Sequence, residues 1–297
     1  MSVIKSFAVG EGDMFYIEHN SPSFTIIDCC LDNGNEDAIL KELSALSGQK
    51  EIIRFISTHP DDDHLCGLEL LEKKLGGIVN FYCVRNRVTK PDETVSFNKY
   101  IQLRDSDKAF FISKGCKRKW MNEESPERAQ SGIHILWPNP DNQHFKEALT
   151  AAEDDGSPNN ISAVIQYSVE KGVTALWMGD LETGLMENVE AELNVPKVDI
   201  LFAPHHGRES GRIPDSLLTK MVPKIIVVGE APSEHLHYYP GYDTITQNSA
   251  GDVVFECETG KIHVFTSNEY AVDFLLDESR NREGFHYVGT LILDSIA

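Results

Sequence analysis

Positive charge is scarce in this 297-residue chain: 27 lysines and arginines face 47 aspartates and glutamates, a formal net charge of −20. Proteins that coat nucleic acid by bulk electrostatics show the opposite balance, so that class is disfavoured. Long apolar runs are also missing. The longest, such as KIIVVG, are strand-sized and fall far short of the roughly 18 residues of a membrane span. No apolar leader opens the chain in MSVIKSFAVGEGD, so neither a span nor a secretory signal is expected. Cysteine is sparse: there are six, with no CxxC spacing and only Cys29 and Cys30 adjacent. The simplest setting is a reduced, cytoplasmic one with the thiols used for packing. No repeat and no low-complexity linker marks a boundary, and 41% apolar residues supply a substantial core. Residues 1–297 are therefore read as one domain.

The few cations are unevenly placed. Residues 81–120 hold ten lysines and arginines against four acids, a local charge of +6 that leaves −26 for the remainder. The wider segment, about 85–130, is polar and weakly patterned and reads as a basic insertion with one or two helices, including NKYIQLRDSDKAFF. Its cationic face is either a solvated surface or a guide for an anionic substrate.

Around that insertion, strands and helices alternate. VIKSFAV, DMFYIEH and SFTIIDCC read as strands separated by turn residues, followed by a helix in EDAILKELSAL, the strand EIIRFIST, and a helix starting at HLCGLELLEKKL. Beyond the insertion GIHILWP, SAVIQYSV, VTALWMGD, VDILFAPHH and KIIVVGE read as strands, with helices in LETGLMENVEAEL and IPDSLLTKM. The tail is strand-rich again, in DVVFECE, KIHVFTS, YAVDFLLD and GTLILDS. The pattern predicts an α/β fold of two mixed sheets packed face to face with helices outside.

Chemistry concentrates at three strand ends. After IIRFIST come His59, Pro60, Asp61, Asp62, Asp63 and His64. Two imidazoles and three carboxylates in one tight loop repel one another without a cation, and each is a ligand type for zinc or manganese. The aspartates would also suit a helix N-terminus, but that leaves the two histidines unexplained. VTALWMGD ends in Gly179 and Asp180, and VDILFAPHHG ends in His205, His206 and Gly207. Ligand types at the ends of separate buried strands are what a shared metal site requires.

These stretches resemble the metallo-β-lactamase superfamily, and within it the hydrolase domain of ComEC-type DNA-uptake proteins. The likeness rests on FAVGEGDMFYI with SFTIIDCC, STHPDDDHLCG, NNISAVIQY, LWMGDLE and ILFAPHHGRES, and more weakly on EHLHYYPGY and GDVVFECETGKIHVFT. It covers nearly the whole chain apart from the insertion. The HxDxDH form is fairly specific for this branch, since most of the superfamily has histidine where Asp61 stands. The resemblance implies a four-layer αββα sandwich with one or two divalent ions, zinc or manganese. His59 and Asp61 would serve the first metal, Asp63 and His64 the second, and Asp180 both. A histidine of the 205–206 pair would complete the second site, with His205 preferred over His206.

The departures matter as much. Where the superfamily often supplies another histidine, this chain has Trp137 before Pro138, and His134 falls on the opposite face by strand alternation. Extra carboxylate tilts the preference toward harder ions such as manganese. Arg208 stands where many relatives have serine. By resemblance, His235 or His237 would contact phosphate or protonate a leaving group, Asn160 and Ser162 would organise their loop, and Asp13 and Asp28 would support ligands. The implied activity is hydrolysis by metal-activated water, with Asp63 and Asp180 as catalytic carboxylates. A phosphodiester in DNA or a nucleotide is the first substrate class. The alternatives are a small-molecule ester or lactone, or a metal-stabilised binding protein without turnover. No membrane partner is expected, and protein partners are not specified by the residues.

Overall fold

The computed structural model describes residues 1–31, 34–169, 172–232 and 235–293. The chain opens with strands β1 (Ser2–Ser6), β2 (Phe15–Glu18) and β3 (Ser23–Ile27). Helix α1 (Glu36–Ser47), β4 (Ile52–Ile56), α2 (Leu68–Leu75), β5 (Phe81–Val84), α3 (Val95–Arg104) and β6 (Ala109–Ile112) follow in alternation. The second stretch runs β7 (Ile133–Trp137), α4 (Gln143–Glu153), β8 (Val164–Ser168), β9 (Thr174–Trp177), α5 (Thr183–Leu193), β10 (Ile200–Phe202), α6 (Asp215–Met221) and β11 (Ile225–Val228). It closes with β12 (Thr244–Thr246), α7 (Gln247–Ala250), β13 (Val253–Glu258), β14 (Lys261–Thr266) and β15 (His286–Ile292).

Among the described residues these strands form two mixed sheets. One has the order β15-β14-β13-β1-β2-β3-β4-β5-β6 and the other β12-β11-β10-β9-β8-β7. The first is antiparallel from β15 to β3 and parallel from β3 to β6, where α1, α2 and α3 provide the crossovers that parallel neighbours need. The second is parallel from β9 to β12, with α5 and α6 as crossovers, and antiparallel through β8 to β7. The strands β5, β10 and β11 are buried along their whole length, as their unbroken apolar runs require, and β3 is buried throughout although it carries Ser23 and Thr25. Antiparallel β7 instead alternates, burying Ile133, Ile135 and Trp137 and leaving His134 and Leu136 half-buried. The sheets meet through aromatic rings: Phe15 of β2 packs edge-on against Trp177 of β9 and Phe202 of β10, and Phe202 meets Phe255 of β13.

Local expectations hold with instructive exceptions. The helix expected from His64 begins only at Leu68, because a 3-10 turn over Asp62–His64 comes first and Gly67 intervenes at φ +79°. A Cβ at Gly67 would lie 2.5 Å from Leu31 Cβ, so glycine lets the chain pass that side chain. The expected helix through NKYIQLRDSDKAFF stops at Arg104; the Lys108 amide turns back to the Ser106 hydroxyl and Ala109–Ile112 pairs as an edge strand. YAVDFLLD is not a strand. Leu275 packs onto the bare face of Gly289, and Leu276 alone exchanges hydrogen bonds with Thr290 while its side chain stays exposed. The last two residues of the expected strand GTLILDS, and Glu234 of EHLHYYPGY, lie outside the described residues. Of the six cysteines, Cys29, Cys30, Cys83 and Cys257 are buried. Among the described residues no helix is long and apolar enough to cross a membrane.

Candidate metal centre

The parallel segments of both sheets deliver polar residues at their carboxyl ends. Asp28 follows β3, His59 follows β4, Asp180 follows β9, and His205 and His206 follow β10. Asp13 arrives from the other direction. It precedes β2, which runs antiparallel to β3 with Phe15 opposite Ile27, so its start lies beside the end of β3. Carboxyl ends of neighbouring parallel strands are where α/β sheets commonly build ligand sites.

These side chains converge on Asp180. His64 Nε2 lies 3.0 Å from Asp180 Oδ1, and His206 Nε2 lies 3.6 Å from Oδ2. His205 Nε2 and His59 Nε2 are 3.8 and 3.9 Å from Oδ2. Asp63 reaches His206 Nε2 at 3.3 Å and His64 Nε2 at 4.0 Å. Asp13, His64, Asp180 and His206 each offer a ligand atom, and these atoms all lie within 4.8 Å of one another. Despite this crowding, His59 Nε2, His64 Nε2, His206 Nε2 and Asp180 Oδ1 are buried with no hydrogen-bond partner among the described residues. Buried polar atoms are rarely left so. Imidazole nitrogens and carboxylate oxygens turned toward one space fit a divalent ion, which takes both kinds of donor at once.

A second set of contacts fixes the donors. Asp28 Oδ2 meets His64 Nδ1 at 2.9 Å, and Asp28 also accepts the Thr58 amide at 2.7 Å and hydroxyl at 2.6 Å. The Thr58 hydroxyl lies 3.1 Å from His59 Nδ1, Asp13 Oδ1 lies 3.2 Å from His206 Nδ1, and the Ser210 hydroxyl lies 2.8 Å from His205 Nδ1. Each imidazole is thus held at Nδ1 with Nε2 directed inward, the arrangement by which outer contacts orient metal-binding histidines. Ser162 accepts the Asp180 amide at 3.0 Å, and Asn160 exchanges hydrogen bonds with Glu182. The backbone is strained here: Asp28, His205 and His206 have φ of +55°, +51° and +54°. Non-glycine residues persist there only when their surroundings hold them.

Electrostatics follow from the same geometry. Burial pushes His59 down, His64 beside it pushes the same way, and its pKa falls to about 4. Burial also opposes charge on His64, but Asp180 and Asp28 overrule it and hold the imidazole well above its usual range. For His206 burial is likewise outweighed, by Asp13 and then Asp180, and the pKa rises to about 10. Asp63 is drawn down to about 2, burial being offset by its contact with His206 and by His64. Asp180 stays well below the carboxylate range because the imidazoles outweigh its burial.

Of the residues expected from sequence, His59, Asp63, His64, Asp180, His205 and His206 are brought together. The two members of the 205–206 pair are placed differently. His206 is buried and belongs to the tight group, whereas His205 is half-buried on its edge, because successive left-handed residues project from the turn in different directions. Asp13, expected only to support a ligand, is within ligand distance as well as bonded to His206; its signal was the GEGD turn before an antiparallel neighbour of β3. Asp61 is turned to Lys90, its Oδ1 receiving Nζ at 2.7 Å and the Asp62 amide at 2.9 Å. His235 Nδ1 pairs with the Tyr238 hydroxyl at 3.1 Å, and His237 is exposed in the same turn. His134 lines surface pockets with Lys114, Gln130 and Gln166, on the face opposite Trp137. Arg208 pairs with Glu11 at 2.8 Å. In comparisons with known proteins, no family model and no curated protein matches the chain.

Proposed function

We propose that the protein is a metal-dependent hydrolase of the metallo-β-lactamase type, one αββα sandwich domain that cleaves phosphodiester bonds with water activated at this centre. One observation carries the reading: three unpartnered buried imidazole nitrogens, supplied after β4 and β10, surround a single carboxylate, Asp180, whose Oδ1 is itself unpartnered. His64, His206, Asp180 and Asp63 would hold the ion, with Asp13 behind or beside them. A divalent cation there would supply Lewis acidity, polarising a substrate oxygen and making water a nucleophile at neutral pH. The chain's own groups do the rest. Asp63, the most open of the gathered carboxylates and fully ionised at neutral pH, accepts a hydrogen bond from the attacking water and aims it. Asp28 and Asp13 keep the imidazoles oriented. His235 and His237 are assigned the leaving-group proton by the resemblance alone.

Support for an anionic substrate comes from the insertion, where Arg85, Arg87, Lys108, Lys117, Arg118 and Lys119 are exposed. A small ester or lactone is the second reading. It is favoured by the net charge of −20 and by Lys90, Lys99 and Arg104, which already face carboxylates at 2.7 Å. A binding role without turnover draws on Trp137, wholly buried where relatives often carry a ligand. A cytoplasmic location belongs to the same proposal.

The test is hydrolysis of bis(p-nitrophenyl) phosphate in added manganese or zinc, followed by plasmid, single-stranded DNA, cyclic nucleotides and lactones. Alanine at His64 or Asp180 is expected to abolish turnover, a loss of at least ~10³-fold, while circular dichroism stays native. Full activity in both variants refutes the assignment. Bound metal with no hydrolysis of any ester supports the binding role instead.

A further inference from the structure

Resting on the reading that this cluster binds a divalent ion, we infer that Lys90 is a built-in cation at the His59–Asp61 half of the centre and limits it to one ion. The two halves are unequal. Around His64, His206 and Asp180 the donors form a group within 4.8 Å, and it is the single such group among the described residues. The other half has His59 and His205 nearly 4 Å from Asp180, and the carboxylate that the resemblance assigns to it, Asp61, is already engaged by Lys90. Lys90 Nζ lies 2.7 Å from Asp61 Oδ1 and 3.0 Å from Asp62 Oδ2, with its side chain only 18% exposed.

That ammonium is held in place rather than passing by. Thr94, the N-cap of α3, donates its hydroxyl to Asp62 Oδ1 at 3.0 Å while accepting the Phe97 amide. Nζ also sits 5.2 Å from the centre of the Phe97 ring, a cation over an aromatic face. The amino-terminal end of α3 and the residue four positions before it are thereby docked onto the Asp61–Asp62 loop. Lys90 neutralises the carboxylate that a first metal would use and repels a dication from the same oxygen pair. A lysine does this without the geometric demands of an ion, and with two of its three N–H groups given to Asp61 and Asp62 it keeps one to meet an anionic oxygen of a substrate.

The test counts ions. Purified full-length chain is stripped with chelator, loaded with excess Mn²⁺, freed of loose metal by gel filtration and analysed by plasma mass spectrometry. Wild type and Lys90→Arg are expected to hold one Mn²⁺ per chain. Lys90→Met is expected to gain a second, with the spin-coupled signal of an ion pair by electron paramagnetic resonance. His59→Ala is expected to keep the single ion, which gives a second readout should Lys90→Met fail to fold. Two ions in wild type, one ion in folded Lys90→Met, or none in His59→Ala overturns the inference. No ion in wild type overturns the metal reading itself, and the two failures are therefore distinguishable.

Discussion

At the scale of single residues, the unusual feature is that two imidazoles, His64 and His206, carry raised pKa values inside the protein while their neighbour His59 carries a lowered one. For metal-free protein the signs follow directly. His206, lifted from 6.5 to about 10, contributes stability that is complete below pH 6.5 and is lost as pH rises through 10. His59, depressed to about 4, contributes stability that is complete above 6.5 and is lost as pH falls through 4. Metal-free protein is therefore expected to be most stable near pH 6.5, with its melting temperature falling on both sides. An ion displaces the protons of His64 and His206, so metal affinity should rise with pH across 6 to 9, by up to ~100-fold per unit when two protons leave. Calorimetric titration in buffers of different ionisation enthalpy measures that release. Proton-free binding, or affinity that falls with pH, contradicts the arrangement.

At the scale of elements, the strand ends do the positioning, and Gly179 shows how. It joins β9 to Asp180 at φ +51°, and a Cβ there would stand 2.8 Å from the Ser162 side chain and 3.0 Å from that of Thr58. Gly179→Ala should lower stability by about 1–2 kcal/mol from the left-handed backbone alone. Displacing Ser162 should also free the Asp180 amide, so kcat should drop more than tenfold while KM moves little (~10-fold corresponds to 1.4 kcal/mol). Steady-state kinetics beside thermal melts separate the two effects, and unchanged kcat would show that Asp180 needs no such support. This is also the level at which the sequence is most readable. Buried parallel strands such as β10 and β11 write themselves as unbroken apolar runs, and their ends expose ligand residues by type. FYCV of β5 escaped because four residues between a helix and the insertion carry too little pattern, and α4 because Asn142 caps a helix whose buried face is only Phe145 and Ala152. The opposite error, YAVDFLLD, has strand-like residues but a neighbour, Gly289, that invites packing rather than pairing. Lys90 and the choice between His205 and His206 were not legible, since both depend on contacts between segments far apart in sequence.

At the scale of the whole molecule, the aromatic cluster between the sheets is the floor beneath the centre. Phe15, Trp177 and Phe202 line a cavity of about 10 Å³ together with Asp13, Asp28 and Thr58, so the rings and the ligand supports share one wall. Trp177 and Phe202 stack with centroids 4.7 Å apart. Phe202→Ala is expected to cost about 3–5 kcal/mol, through lost burial and the void left behind. Denaturant titration in chelator measures that cost, and a loss below ~1 kcal/mol would mean that the sheets do not depend on this contact.

The pairing of Asp13 with His206 spans 193 positions along the chain. During synthesis, a nascent polypeptide that has not yet extruded β10 already carries Asp13, His59, Asp63, His64 and Asp180 but still lacks His206. An ion held by the proposed group would thus be enclosed only after β10 has emerged, and it would clasp together segments that are distant along the chain.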